Sequence, residues 1–291
     1  MTVPLLNASG CLDALAAPAV AAQLDAFVTK TITPLPREGN PPVRIAETEH
    51  GMLNSIGLQG PGIDALVEDV LPRLAALGLQ VWVSVGGFSA RDYVAICERL
   101  ADRADVRVME LNLSCPNVDE APESAAHIVG ACRAVTSKPL YAKLSPATWD
   151  IAESARAVVA AGADGLSLVN TLRGMALDPA TLRPRLARGA GGYSGPALKP
   201  VALACVHACA SAVDVPIVGM GGVESGLDAL ELVAAGASVV ALGTILFADP
   251  GAPGRIRGEL AAEATARGLR NALAARGIAI GQHEEIPANG V

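Results

Sequence analysis

Residues 108–120 read VMELNLSCPNVDE, an apolar run that ends in two amides and a thiol. Asn112, Cys115 and Asn117 stand at a strand end where Val or Ile would pack better, and Pro116 fixes the turn behind the sulfur. A thiol held in this way serves as a general base when nearby groups bring its pKa toward neutrality. The competing assignment, a buried structural cysteine, suits Cys11, Cys97, Cys132, Cys205 and Cys209 better than Cys115. Ser145, in KLSP, offers a second base, although its position suits a turn cap. Lys30 in VTKTIT and Lys143 in YAKLSP each close an apolar β-rich run. A lysine among apolar neighbours requires an anion. For Lys143 a ring that gains negative charge, as a flavin does at N1 on reduction, meets that need; a Schiff-base lysine and a structural ion pair are the alternatives. Asn54, Asn112, Asn117 and Asn170 each place a donor beside an acceptor. Together they match a cyclic diamide or imide, although a single loop asparagine is ordinarily a turn residue.

Groups drawn from so many segments must be brought together by the fold. Short β-rich runs fall at 26–32, 51–57, 80–86, 107–114, 139–145, 165–171, 216–222 and 238–244. Ala- and Leu-rich helical stretches lie at 62–77, 89–103, 121–137, 149–161, 197–212 and 225–235, with a last one near 254–276. Eight such strand–helix units predict an α/β fold, a (β/α)8 barrel, with reactive groups at the carboxyl ends of its strands. Read in order, those ends carry Lys30, Asn54, Ser84, Asn112 with Cys115, Lys143, Asn170 with Thr171, Gly221–Gly222 and Gly243–Thr244. GMGGV and LGT close the last two strands, the usual place for a barrel's phosphate site. They point to FMN or a sugar phosphate, against the plainer assignment of tight turns. RGMALDPATLRPRLARGAGGYSG, after the sixth strand, is too long for a simple connection and predicts a small insertion over the mouth.

The 291 residues form one domain on this reading, 1–291, large enough to need no disulfide. A formal charge of −7 excludes nucleic acid or an anionic membrane as the main partner. The chain opens MTVPLLNASG without a charged-then-apolar leader, and no apolar run reaches the ~18 residues of a membrane helix, so a cytoplasmic protein is expected. Six cysteines without CxxC pairs exclude an iron–sulfur cluster, and no metal is expected; Cys205 and Cys209, flanking His207, read as small core thiols.

NASG, FVTKTITPLPREGNP, GMLNSIGL, ELNLSCPNV, AKLSP, LVNTLRGMALD, GGYSGPALKP, GMGGV and LGT together resemble dihydroorotate dehydrogenase, over about residues 7–247. NTLRGMA and SCPNV most resemble the NAD-linked, two-subunit class, in which this chain corresponds to the catalytic FMN subunit. The resemblance implies a partner subunit that carries FAD and an iron–sulfur cluster, and a homodimer or a heterotetramer. It also implies oxidation of (S)-dihydroorotate to orotate in pyrimidine biosynthesis. FMN would meet Ser9, Lys30, Thr31, Asn112, Lys143, Val169, Gly195, Gly221, Gly222, Gly243 and Thr244. Substrate would meet Lys30, Asn54, Ser55, Ile56, Gly57, Leu58, Asn112, Asn117, Asn170 and Thr171. Cys115 matches the base that takes the C5 proton as hydride leaves C6 for flavin N5, with Lys143 stabilising the reduced ring. The chain departs from the family in DEAPESAAH, which lacks the usual loop glycines, in Ser84 where an Asn is common, and in Gly60. The first departure keeps open a relative that acts on a different cyclic amide. A flavin-free aldolase and a non-enzymatic FMN scaffold are the remaining alternatives.

Overall fold

Twelve strands run through the computed structural model, which describes residues 2–113 and 124–281. Among the described residues they are β1 (Leu5–Asn7), β2 (Phe27–Val28), β3 (Ile45–Thr48), β4 (Gly51–Asn54), β5 (Val81–Val85) and β6 (Val106–Asn112), followed by β7 (Leu140–Leu144), β8 (Gly165–Leu168), β9 (Leu172–Met175), β10 (Ala190–Ser194), β11 (Ile217–Met220) and β12 (Val239–Leu242). Eight of these pair in parallel in the order β1-β12-β11-β8-β7-β6-β5-β2. A bridge between Leu6 and Ala26 joins the two ends of that sheet. The result is the (β/α)8 barrel that the alternation of segments predicts.

One strand assignment is corrected. Residues 51–57 do not form the second barrel strand; Gly51–Asn54 is β4 of a four-stranded antiparallel sheet ordered β3-β4-β10-β9. The eighth barrel strand is instead β1, which lies between β12 and β2 and whose Leu5, Leu6 and Asn7 are all buried. Three residues behind Pro4 are too short a run to show β periodicity, and only pairing with Val240, Ala241 and Leu242 makes them a strand. The antiparallel sheet contains the insertion foreseen after β8. It stands at the carboxyl ends of the barrel strands, where Thr244 Oγ1 donates to Ser194 Oγ at 2.8 Å.

Alternation along the strands separates two apolar regions. Leu6, Val28, Trp82, Val108, Val218, Met220 and Ala241 form the inner cluster, with the Trp82 and Tyr141 ring centroids 4.8 Å apart. Their neighbours, among them Leu5, Phe27, Val81, Val83, Met109, Leu111 and Leu140, face the helical layer. Side chains rather than a channel therefore fill the barrel's interior.

The helices follow their sequence signals closely. Ser89 and Asp92 form a capping box for Ala90–Leu100, and Ser225 and Asp228 form one for Gly226–Ala234. The helix expected over 62–77 contains a π-type turn, Leu66–Val70, immediately before Leu71–Ala76. Pro72 explains it: without an N–H it cannot close the ordinary bond to residue 68, and its ring pushes that turn open. Cys205 and Cys209 are buried on Lys199–Ala212, as expected of core thiols. Burial pushes the Cys209 thiol up to about 12, leaving it a neutral packing group. Among the described residues no three His, Cys, Asp or Glu side chains cluster as a metal site, and no helix is long and apolar enough to cross a membrane.

Candidate active site at the barrel mouth

A chain of hydrogen bonds crosses the carboxyl ends of five regions of the barrel. Ser9, just after β1, donates to Thr29 O at 2.9 Å and lies 3.3 Å from Thr31 Oγ1, just after β2. Thr31 Oγ1 is 3.0 Å from Ser84 Oγ on β5 and accepts from Asn112 Nδ2 of β6 at 3.2 Å. Asn170 Nδ2, just after β8, donates to Asn112 Oδ1 at 2.9 Å. Asn170 Oδ1 in turn accepts from Thr171 N at 2.7 Å. Each link orients the next, so the amides present fixed donor and acceptor edges rather than rotating freely. Tyr93, buried on the flanking helix, donates to Asn112 O at 2.7 Å and anchors the end of β6.

Beneath this rim sit two full charges. Lys143 Nζ lies 3.4 Å from Glu110 Oε1, with the two side chains 7% and 2% exposed. Among the described residues they are the only buried Lys, Arg, Asp or Glu side chains. Within the protein, then, Glu110 answers the demand of Lys143 for an anion. In the run VMELNLS the sequence signal of Glu110 is a lone carboxylate between Met109 and Leu111. Ser167, in register with Lys143 on β8, is buried and its Oγ has no hydrogen-bond partner among the described residues. Val169 is buried just beyond β8.

Lys30 packs along Gly10, where an added Cβ would come within 3.0 Å of Lys30 Cδ. Burial pushes the Lys30 pKa down; Cys11 draws it back up and Lys143 adds to the fall. Cys11 belongs to this rim, and composition alone had placed it with the core thiols. Burial pushes its thiol up, while Lys143 and Lys30 pull it the other way.

The glycines expected to cradle a phosphate have the necessary backbone. Gly195, Gly221 and Gly222 take φ values of 111°, 120° and 76°. A Cβ on Gly222 would meet Lys199 N at 2.7 Å. At Gly243 a Cβ would meet nothing nearer than Ala8 Cβ at 3.7 Å, so bare backbone is presented there. Lys199 Nζ bonds Asp228 Oδ1 at 2.6 Å and Glu231 Oε2 at 2.8 Å, and Asp228 Oδ2 accepts from Glu224 N and Ser225 N. The turn after β11 is thereby tied to the helix Lys199–Ala212. For Asp228, burial pushes the carboxyl up, but Lys199, Ser225 and the Glu224 amide outweigh it and leave it below the usual range. A depressed folded pKa stabilises the native state above the unfolded pKa of ~3.9, and that contribution is lost as pH falls through the folded value. Asp228→Asn should therefore lower stability by about 1–2 kcal/mol at pH 7, with the deficit closing below about pH 4 in urea unfolding curves.

The segment 54–58 reaches the mouth from β4 rather than from a barrel strand. Asn54 Nδ2 donates to Gly192 O at 3.2 Å, and a Cβ on Gly192 would overlap Thr171 Oγ1, so the small sheet seats directly against Thr171. Ser55 Oγ accepts from Asn40 Nδ2 at 2.9 Å, and Ile56 O accepts from Asn40 N at 2.9 Å. Gly57 and Leu58 follow with φ of 77° and 55°. Leu58 is a non-glycine residue in the left-handed region, a local cost of about 1–2 kcal/mol. Ser145 Oγ accepts from Ala147 N at 3.1 Å, a turn cap. Cys115 and Asn117 lie outside the described residues.

Comparison with known proteins places the chain in a family. The family model described as dihydroorotate dehydrogenase matches residues 1–263. The catalytic subunit of dihydroorotate dehydrogenase B (NAD(+)) from Latilactobacillus sakei is 50% identical over 236 residues, covering 78% of this chain and 77% of that protein. Its counterpart in Bacillus cereus is 45% identical over 257 residues, covering 85% and 83%. Among solved structures, a dihydroorotate dehydrogenase from Eimeria tenella in complex with ferulenol superimposes with a TM-score of 0.78 at 24% identity, covering 96% of this chain and 85% of that one. The last likeness concerns the fold; the sequence matches carry the kinship, and the chain belongs to the dihydroorotate dehydrogenase family.

Proposed function

We propose that the chain binds FMN at the barrel mouth and oxidises (S)-dihydroorotate to orotate, as the catalytic subunit of an NAD-linked enzyme. The observation that carries this reading is the hydrogen-bonded amide pair Asn112–Asn170 beside the buried Lys143. It sets fixed donors and acceptors for a cyclic amide next to a cation suited to negative charge. The protein fits FMN: bare backbone at Gly221–Gly222 and Gly243 suits a phosphate, with the Thr244 hydroxyl beside it. Ser9, Lys30, Thr31, Asn112, Lys143, Val169 and Gly195 would hold the remainder. When bound, FMN supplies the acceptor for the hydride that leaves C6 of the substrate.

The chain's own groups do the rest. Asn54, Asn112, Asn117, Asn170 and Thr171 orient the pyrimidine ring, with Lys30 and the 55–58 segment closing on it. Cys115 takes the C5 proton. Lys143 keeps positive charge fixed where negative charge develops. Electrons leave through a partner subunit that carries FAD and an iron–sulfur cluster; the catalytic chain pairs with a second copy of itself and works in the cytoplasm.

The protein purified as a holoenzyme should show a flavin spectrum that dihydroorotate bleaches under anaerobic conditions. A flavin spectrum unchanged by dihydroorotate, yet bleached by another dihydropyrimidine, would transfer the assignment to that substrate. Gly222→Ala forces a side chain into the left-handed region and against Lys199, so FMN should bind at least tenfold more weakly in a fluorescence titration of the apoprotein.

A further inference from the structure

We infer that Glu110 is a positioning residue for Lys143 and through it sets the reduction potential of the bound flavin, a role that rests on the FMN reading above. The floor of the barrel is apolar, built from Leu6, Val28, Trp82, Val108, Val218 and Met220. Glu110 follows Val108 by two residues on the inward face of β6 and precedes Asn112 by two, so its carboxylate lies one layer below the amide rim. In the β6–β7 register Asn112 stands opposite Lys143 and Glu110 opposite Tyr141. Lys143 therefore leaves its strand level with the rim, and its ammonium reaches the carboxylate of the layer beneath.

Stability does not account for this pair. Removing two ions from water costs more than their attraction commonly returns, and well-packed apolar residues of similar volume are often as stable. The separation is also long: 3.4 Å, against roughly 2.7–2.9 Å for a fully engaged charge-assisted bond. One of the three ammonium donors is spent on a loose partner, and the lysine stays able to answer a second anion. The Ser167 hydroxyl, beside Lys143 in register and without a hydrogen-bond partner among the described residues, marks the same layer as one with polar capacity to spare.

A carboxylate so placed does two things. It supplies the counter-charge for Lys143 while the flavin is oxidised and neutral, and its own negative charge opposes the accumulation of more. Replacing it with a neutral group removes the anion that Lys143 meets among the described residues, so reduction becomes easier.

The test is the two-electron midpoint potential of the holoenzyme, read by equilibrium titration against a redox dye. Glu110→Gln should shift the potential in the positive direction, and Glu110→Asp, which keeps the charge, should remain close to wild type. A Glu110→Gln potential equal to wild type, or equal shifts in both variants, overturns the inference. If Glu110→Gln does not fold, infrared difference spectra of the wild-type holoenzyme decide between oxidised and reduced flavin. A carboxylate band that moves on reduction and is displaced in Glu110→Asp supports the role, and its absence overturns it. Protein that takes up no FMN overturns the functional reading together with this one; unmoved potentials in an FMN-loaded enzyme overturn this one alone.

Discussion

Cys115→Ala should slow the bleaching of bound flavin by dihydroorotate by roughly 10²- to 10⁴-fold, the usual worth of a positioned general base, while FMN content is unchanged. The size of the loss follows from the lack of a substitute at the rim among the described residues. Ser145 is committed to a turn, its oxygen already accepting from Ala147 N. The Cys11 thiol is pushed up by burial, which disfavours the thiolate a base requires. The hydroxyls of Ser9, Thr31 and Ser84 are bound to one another or to backbone. FMN should stay because none of the groups proposed to hold it changes. Anaerobic stopped-flow spectroscopy of the reductive half-reaction is the measurement. Wild-type bleaching rates in a variant with full flavin occupancy would remove Cys115 from the chemistry. Cys115→Ser should retain a weak acceptor whose rate climbs with pH, since a hydroxyl ionises far less readily than a thiol.

The second large effect concerns stability. Lys143→Met removes one member of a pair that water scarcely reaches and strands the Glu110 carboxylate in the barrel. Breaking a buried pair from one side typically costs 3–5 kcal/mol, because the desolvated charge remains without its partner. At roughly 2–4 °C per kcal/mol for a chain somewhat shorter than this one, thermal unfolding should move down by about 6–20 °C. Adding Glu110→Gln to Lys143→Met should restore most of that loss, since a neutral pair carries no such penalty. Calorimetry on the two variants and wild type reads both numbers. A single variant as stable as wild type would mean that the pair is not desolvated as the geometry indicates.

Much of this architecture is legible in the chain because barrel strands are short apolar runs with sharp ends. β5, β7, β11 and β12 fall within the runs at 80–86, 139–145, 216–222 and 238–244, and β6 begins one residue ahead of the run at 107–114. Polar groups at those ends stand out against Val, Leu and Ile, which is why Asn112, Lys143 and Asn170 were visible. What failed was membership rather than propensity. GMLN of β4 has the composition of a barrel strand, and only its pairing with Tyr193 and Ala46 places it elsewhere. LLN of β1 lacks any signal of its own and owes its structure to residues more than two hundred positions away. Glu110 and Cys11 were missed for a related reason: burial beside a particular lysine is a property of the assembled barrel, and no window of sequence contains it.

That distant pairing governs the order in which the molecule can be completed. Leu5 is matched with Val240, a separation of 240 − 5 = 235 residues. At about 5–20 residues per second of synthesis, the opening strand waits roughly 10–50 s for its partner to leave the ribosome. During that interval the β12-facing side of β1 is an exposed strand edge, open to pairing with other nascent chains. Deleting the first seven residues should make the wait permanent, giving a barrel with an unsealed seam and a product recovered largely in the insoluble fraction.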